Sequence, residues 1–200
     1  SVSDAMGYSG TYGGWVQGKS KIAVSLTDSG SYGSTIKSRS TTADGSKYTS
    51  ASFTTGAIKS SGTLTISATV TDSRGRTATD SESITVLSYS SPIISAISAT
   101  RCNSDGSSNS SGAYIKATFS GKVTALDNNN NAVYSLKYKK SVDTEYTSVT
   151  LSDYANVYTV TNGTYVFEAE TTSSYEVVIT ATDNFSSASK TTSGSSIKKI

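Results

Sequence analysis

The sequence predicts an all-β protein of two tandem antiparallel β-sandwiches with little or no helix. The first observation is strict alternation of apolar and polar residues in Thr63–Thr71, which is typical of a strand with one buried and one exposed face. The second is a near copy of that strand, YEVVITATD, at Tyr175–Asp183. The third is that apolar residues nowhere recur at the helical spacing over three turns. Two similar β domains explain all three.

Length and the only proline locate the boundary between these domains. The chain has 200 residues, enough for two domains of about 100 residues each. Pro92 follows the first repeat and restricts Ser91 to extended geometry, which favours a short, stiff linker. We predict a first domain over residues 1–91 and a second over 92–200. The chain lacks an initiator Met and closes on strand-like Ile197–Ile200, so we expect a fragment of a longer protein.

The first domain opens with a lead-in of residues 1–19, rich in glycine and tyrosine, which we predict to be mostly irregular. Alternating apolar residues predict a strand at Lys21–Asp28, and a second follows at Thr35–Arg39. Phe53–Ile58 is expected to be a short or irregular link. A hairpin over Thr63–Pro92 completes the domain.

The second domain shows seven β-prone segments separated by turn signals, including a turn at Asn162–Gly163. Seven short strands with turns about every 8–12 residues are typical of the immunoglobulin-like sandwich. Asp127–Asn131 is predicted to be a turn, and Asn103–Gly112 a loop without apolar residues. The predicted strands are Ile93–Arg101, Ala113–Val123, Val133–Lys140, Tyr146–Leu151, Val157–Val160, Tyr165–Ala169 and Tyr175–Ala181.

Composition removes the commonest catalytic and metal-binding chemistries. There is no histidine and a single cysteine, Cys102, so no histidine-dependent triad, internal disulfide or cysteine-based zinc site can form. Glu168 and Glu170 could pair as glycosidase acids, but a solvated strand face is the favoured interpretation. Asp72 and Asp183 end the repeated strands and are expected to accept backbone hydrogen bonds. We predict no enzymatic activity, no cofactor and no metal site.

Charge and hydropathy bear on the partners. The net charge of +2 is spread along the chain without a basic stripe, so no nucleic acid is expected. No apolar run reaches the roughly 18 residues of a membrane-spanning helix, so no membrane is expected. Tyr8, Tyr12 and Trp15 interleave with glycines in the lead-in. Trp15 is interpreted first as a plug of the first core, and the three together are the candidate ligand-stacking residues.

Four stretches resemble minor structural proteins of siphophages that infect Gram-positive bacteria. They cover most of the chain in the order found in that family, and the run through Arg101–Asn103 is the more specific part. One departure is Asp80 and Glu82, which stand where apolar alternation is expected in the last strand of the first domain. The stretches are VTDSRGRTAT with ITVLSYSSPII, GGWVQGKSKIAV, GSYGSTIKS, and SATRCNSDGSSNSSGAYIKATFSGKV.

In those phage proteins, immunoglobulin-like repeats are strung along a tail fibre or tail tip. The resemblance implies a structural and adhesive module that acts as a spacer in the virion tail. It also implies that the protein is in the host cytoplasm while virions assemble. Its implied partners are other tail proteins, host cell-wall polysaccharide, and further copies of itself joined through regions outside this chain. A carbohydrate-binding module and a bacterial adhesin stalk are the alternatives, and a glycosidase is a more distant one.

Overall fold

In the computed structural model, residues 1–194 are described, and the chain forms two compact units that divide between Tyr89 and Ser90. This division lies two residues before the boundary predicted at Ser91–Pro92. The predicted strand-like end at Ile197–Ile200 lies outside the described residues.

Unit 1 is a sandwich of a three-stranded and a five-stranded sheet. The strand orders are β1-β3-β6 and β2-β8-β7-β4-β5, and every pair is antiparallel except β2 with β8, where Trp15 lies beside Val86. Isoleucine and valine side chains fill the space between the sheets. The elements are β1 (Val2–Asp4), α1 (Tyr8–Tyr12), β2 (Trp15–Val16), β3 (Lys21–Ser25), β4 (Ile36–Ala43), β5 (Ser46–Tyr48), β6 (Ser52–Ala57), β7 (Gly62–Asp72) and β8 (Thr77–Leu87).

Unit 2 packs a three-stranded sheet, ordered β13-β10-β9, against a four-stranded sheet, ordered β12-β11-β14-β15. All its strand pairs are antiparallel. The first, second and fifth strands face the other four, which is an immunoglobulin-like sandwich. Unit 1 has the same strand order in both sheets, with β2 added beside β8 at the edge of the larger sheet. The strands are β9 (Ile93–Cys102), β10 (Tyr114–Lys122), β11 (Val133–Lys140), β12 (Thr147–Thr150), β13 (Thr159–Glu168), β14 (Tyr175–Thr182) and β15 (Ser187–Gly194), with a 3-10 turn at Ser152–Tyr154.

Alternation along the strands builds both cores. In β10, Ile115, Ala117 and Phe119 point inward and are buried, while the residues between them are half-buried. In β11, Tyr134 and Leu136 do the same. Each large apolar side chain buried in this way contributes about 1.5–3 kcal/mol. The predicted all-β class with little helix is confirmed, because the five residues of α1 and one 3-10 turn are the helical segments among residues 1–194.

The two copies of the repeated strand, β7 and β14, occupy equivalent places in the larger sheet of each unit. Each ends in a buried aspartate that closes the following turn. Asp72 accepts hydrogen bonds from the backbone N–H groups of Arg74 and Arg76, and Asp183 accepts them from Phe185 and Ser186. The predicted role of these aspartates is confirmed.

Two predictions for unit 1 are wrong. The lead-in is not mostly irregular, because it supplies β1, α1 and β2. Phe53–Ile58 is not a link, because its residues fall largely in β6, which completes the three-stranded sheet beside β3. Both segments have weak alternation, and their structure comes from pairing with strands distant in sequence.

Two strand predictions for unit 2 are also wrong. Val157–Val160 and Tyr165–Ala169 are not separate strands, because β13 runs through the predicted turn. The pairing with β10 shifts between Phe119 and Gly121, and Asn162 takes a left-handed backbone with φ 53°, so the turn signal marks a β-bulge. The seventh strand is β15, whose sequence SASKTTSG gave no apolar pattern because most of it is exposed.

The charged residues in β8 lie in the inward register after all. Glu82 pairs with Ile66, and Asp80 pairs with Ala68, so both carboxylates share a face with apolar residues of β7. Both are nevertheless exposed, and Val70 farther along β7 is only half-buried. The inner face of this hairpin is therefore open toward its turn, and strict burial begins only at Ile66 and Ile84.

Candidate functional site

The three aromatic residues predicted to bind a ligand lie at the start of unit 1. Tyr8 and Tyr12 belong to α1, and their ring centroids are 6.2 Å apart. Tyr12 is only 4% exposed, so its ring packs mainly within unit 1, and ligand binding by this residue stays a prediction. Trp15 is half-buried against the core of unit 1, as its interpretation as a plug expected. Ligand binding by Tyr8 or Trp15 stays a prediction.

The two glutamates considered as an acid pair lie beside a surface hollow of about 710 Å³ in unit 2. Glu168 ends β13 and is exposed, whereas Glu170 lies beyond the strand and pairs with Lys140 at 2.5 Å. The hydrogen bond from Lys140 holds the pKa of the Glu170 carboxyl below its ordinary value. A glycosidase acid needs the opposite shift, so the arrangement of Glu170 favours a structural ion pair.

Arg101 lies in the stretch with the more specific resemblance, and it anchors a loop. Its buried guanidinium donates to the carbonyl oxygens of Ala169, Glu170 and Ser173 at 2.9, 2.7 and 2.7 Å. It also lies 5.9 Å from the ring centroid of Tyr175. A planar donor with several N–H groups suits this fork of carbonyls better than lysine would. Arg101 therefore fixes the connection between β13 and β14.

The strongest candidate for a binding surface lies at one end of unit 2. Six residues from the β10–β11 loop and the β12–β13 connection line a shallow depression of about 610 Å³. We call these residues the asparagine platform. Four of its amide side chains are exposed, Asn130 is buried and Tyr158 is half-buried. The residues are Asn128, Asn129, Asn130, Asn131, Asn156 and Tyr158.

Asn130 is the clamp of this platform. Its Nδ2 donates to the carbonyl oxygen of Thr124 at 2.7 Å and to Oδ2 of Asp183 at 3.2 Å. Its Oδ1 accepts from the backbone N–H groups of Asn131 and Asn184 at 3.1 and 3.3 Å. A side chain that is 3% exposed thus uses both ends of its amide and ties the β10–β11 loop to the β14–β15 turn.

A second set of bonds joins the β12–β13 connection to the same loop. The Tyr158 hydroxyl donates to the carbonyl oxygen of Asn130 at 2.7 Å. The backbone N–H of Asn156 donates to the carbonyl oxygen of Ala132 at 2.8 Å, and its side-chain oxygen accepts from the Ala132 N–H at 3.2 Å. Three connections at this end of unit 2 are therefore held together by side chains.

The backbone of the platform is unusual because three successive non-glycine residues are left-handed. Leu126, Asp127 and Asn128 have φ of 47°, 58° and 63°. A left-handed residue costs about 1–2 kcal/mol, less for Asp and Asn. The conformational cost is larger for Leu126 than for Asp127 or Asn128, and it is offset by burial of the Leu126 side chain, which is 4% exposed. The segment turns Asn128 and Asn129 toward solvent.

The sequence alone predicts only part of this surface. The sequence predicts a turn at Asp127–Asn131, which the backbone hydrogen bonds confirm, but it does not predict a surface that presents amides. The signal available was the density of asparagine beside buried Leu126. The contributions of Asn156 and Tyr158 depend on tertiary contacts between loops, which a single sequence does not reveal.

Within residues 1–194, no three or more histidine, cysteine, aspartate or glutamate residues come together in a way that could hold a metal ion. None of the helices in the same range is long and apolar enough to cross a membrane.

Comparison with known proteins identifies a family. The chain matches the family described as "Siphovirus protein of unknown function (DUF859)" over residues 10–198, which includes both units. No curated protein matches the chain.

The solved structures that match the chain include proteins with fibronectin type III domains. The FN1–FN3 domains of chicken CNTN1 share 11% identity, with 90% of this chain and 65% of that one covered and a TM-score of 0.32. A segment of two fibronectin type III domains from chicken tenascin shares 14% identity, with 87% and 90% covered and a TM-score of 0.33. The fibronectin(III)-like modules of Clostridium thermocellum CbhA share 13% identity, with 98% and 94% covered and a TM-score of 0.33.

Proposed function

We infer that this chain, which belongs to the DUF859 family of siphovirus proteins, is a structural module of a siphophage virion. The observation that carries the proposal is the family match over residues 10–198, which spans two tandem immunoglobulin-like units. Each unit has its own core, so each can act as a stable building block.

Within the virion, we place the chain in the tail, as a spacer in a tail fibre or tail tip of a phage that infects Gram-positive bacteria. The stretches that resemble minor tail proteins, above all the run through Arg101–Asn103, support this location. The structure gives that run a physical role, because Arg101 bonds to the β13–β14 connection and Asn103 bonds within the loop that follows β9. The partners in this proposal are neighbouring tail proteins, and further copies joined outside this chain.

Host contact is the second part of the proposal. Binding surfaces on sandwich domains lie in the loops at one end of the fold, where a rigid scaffold holds them. The asparagine platform has this character, because Asn130 and Tyr158 fix its loops. This observation favours carbohydrate contact with the host wall over a bare spacer, and repeated weak contacts on one virion would gain avidity.

The location in the virion can be tested directly. An antibody raised against the 200-residue chain would be applied to purified siphophage particles and visualised by immunogold electron microscopy. We expect labelling at the distal tail, and mass spectrometry should find the protein in purified tails. Labelling of the capsid, or absence of the protein from purified virions, would contradict the proposal.

A further inference from the structure

We propose that the asparagine platform of unit 2 binds a neutral saccharide. The inference deepens the proposed host contact and rests on it, but it makes a separate claim about which surface binds and which chemistry it recognises. Asn128, Asn129, Asn131 and Asn156 present exposed amides around a single depression, with Tyr158 beside them.

The exposed amides of the platform match the hydrogen-bond donors and acceptors of a sugar. Each asparagine amide carries two N–H donors and one oxygen acceptor, so one side chain can both give and receive a hydrogen bond. Sugar hydroxyls also act in both directions, and a row of vicinal hydroxyls therefore suits a cluster of amides. Tyr158 is half-buried and packs against the core of unit 2, so only the exposed part of its ring is available to the C–H face of a pyranose ring.

The charge of the lining residues also favours a neutral ligand. The lining of the depression contains no lysine, arginine, glutamate or aspartate. The nearest buried carboxylate, Asp183, is already bonded to Asn130, Phe185 and Ser186. Recognition of phosphate relies on arginine or lysine, so the platform is a poor fit for a phosphate-rich wall polymer. The favoured ligand is uncharged.

The loops of the platform are preorganised. Binding costs less when the loops are already ordered, because little conformational freedom is lost on association. Asn130, Asn156 and Tyr158 provide this order through their bonds between loops. The left-handed residues from Leu126 to Asn128 are a local cost that the fold retains, and conformations of this kind cluster at binding sites.

The depression is shallow, so the contact involves the end or a branch of a glycan. We expect dissociation constants in the millimolar range for a single chain, on the order of 4 kcal/mol of binding free energy. Such weak binding is useful only where many copies act together, as in a virion.

Heteronuclear NMR tests the inference. The 15N-labelled 200-residue chain would be titrated with neutral oligosaccharides of glucose, galactose, rhamnose and N-acetylglucosamine, each to on the order of 10 mM, which saturates a millimolar site. We expect saturable shifts of the side-chain amides of Asn128, Asn129 and Asn131 and of the backbone of Tyr158 with at least one sugar. Dextran sulfate and a glycine–serine peptide are the comparison ligands.

A matched pair of variants fixes the location. The double variant Asn128→Gly with Asn129→Ala removes two exposed amides, and glycine accepts the left-handed backbone at position 128. The double variant should bind the sugar about tenfold or more weakly, which corresponds to about 1.4 kcal/mol of binding free energy. Asn162→Gly changes an exposed left-handed asparagine that does not line the depression and should bind like the unchanged chain.

The outcomes separate this inference from the proposed function. No shift with any neutral oligosaccharide, or shifts with dextran sulfate or the peptide alone, would overturn it even if immunogold labels the tail. Shifts centred on Tyr8 or Trp15 would overturn the location. Saturable shifts on the platform, in a protein absent from virions, would support the saccharide site and reject the proposed function.

Discussion

Replacement of Asn130 by alanine should destabilise unit 2 selectively. The side chain takes part in four hydrogen bonds, two at 2.7 and 3.1 Å and two longer ones at 3.2 and 3.3 Å. A hydrogen bond contributes about 1 kcal/mol net. Because two of the four are long, we expect a loss of about 3 kcal/mol. For a domain of about 100 residues, this lowers the melting temperature by about 12 °C.

The sequence provides a way to assign this loss to one unit. Trp15 is the only tryptophan and lies in unit 1, so its fluorescence reports the unfolding of unit 1. Circular dichroism and calorimetry report both units. In Asn130→Ala, the tryptophan transition should stay in place while a second transition moves to lower temperature. The control is Asn131→Ala, an exposed neighbour, which should change stability by less than about 0.5 kcal/mol.

Two results would refute the reasoning. If Asn130→Ala melted within about 2 °C of the unchanged chain, less than the shift from 1 kcal/mol, the amide would not be a clamp. If the tryptophan transition moved as much as the second transition, the loss would not be confined to unit 2.

Three further predictions follow from other buried groups. Arg101→Ala leaves the carbonyl oxygens it binds without that donor, so unit 2 should lose about 3 kcal/mol or more in calorimetry; an unchanged calorimetric trace would show that Arg101 is dispensable. Burial opposes ionisation of Asp72, but hydrogen bonds from the Arg76 backbone and guanidinium lower the pKa of its carboxyl from 3.8 to about 2. The contribution of Asp72 to stability is therefore present above pH 3.8 and lost as the pH falls toward about 2. Melts detected by tryptophan fluorescence should show this loss, and Asp72→Asn should remove the pH dependence. If Asp72→Asn kept the same acid dependence, Asp72 would be excluded as its source. Burial raises the pKa of the Cys102 thiol, so a thiol reagent should label it only after unfolding, and rapid labelling of the folded chain would contradict its burial.

The fold was predictable wherever burial imposed a period on the sequence. Apolar residues alternate with polar ones in β7, β10, β11 and β14, and in β10 and β11 the alternate residues are buried between the two sheets. The all-β class followed from these four strands. Strand β15 was not predicted because it is mostly exposed and therefore has no apolar pattern. Its pairing with β14 is made by backbone groups.

The candidate site was less predictable for a different physical reason. Asn128–Asn131 look like an ordinary turn, since asparagine favours turns through its own backbone. Their arrangement depends on contacts with Asn156, Tyr158 and Asp183, which lie far away in sequence. The aromatic lead-in attracted attention because its composition is conspicuous, yet Tyr12 serves the fold of unit 1. Composition indicates which chemistry a chain contains, but the contacts between loops decide which side chains remain available.

The two units hold equivalent loops together in the same way, but with a charged clamp in unit 1 and an amide in unit 2. In each, the aspartate that ends the repeated strand ties the last turn to the loop between the second and third strands of the sandwich. In unit 1, Arg76 pairs with Asp72 at 2.7 Å and donates to Ser31 and Ser34 across that loop, so the clamp is charged.

In unit 2, the neutral amide of Asn130 takes the place of the guanidinium and bonds to Asp183. Arg74 adds a second guanidinium in unit 1, donating to the carbonyl oxygen of Tyr32, whereas no lysine or arginine lines the corresponding depression of unit 2. The equivalent ends of the two units thus carry two guanidinium groups in unit 1 and, in unit 2, a lining of amides without lysine or arginine. Because a neutral ligand gains little from guanidinium groups already bonded within the protein, the proposed saccharide site is expected in unit 2 rather than in unit 1.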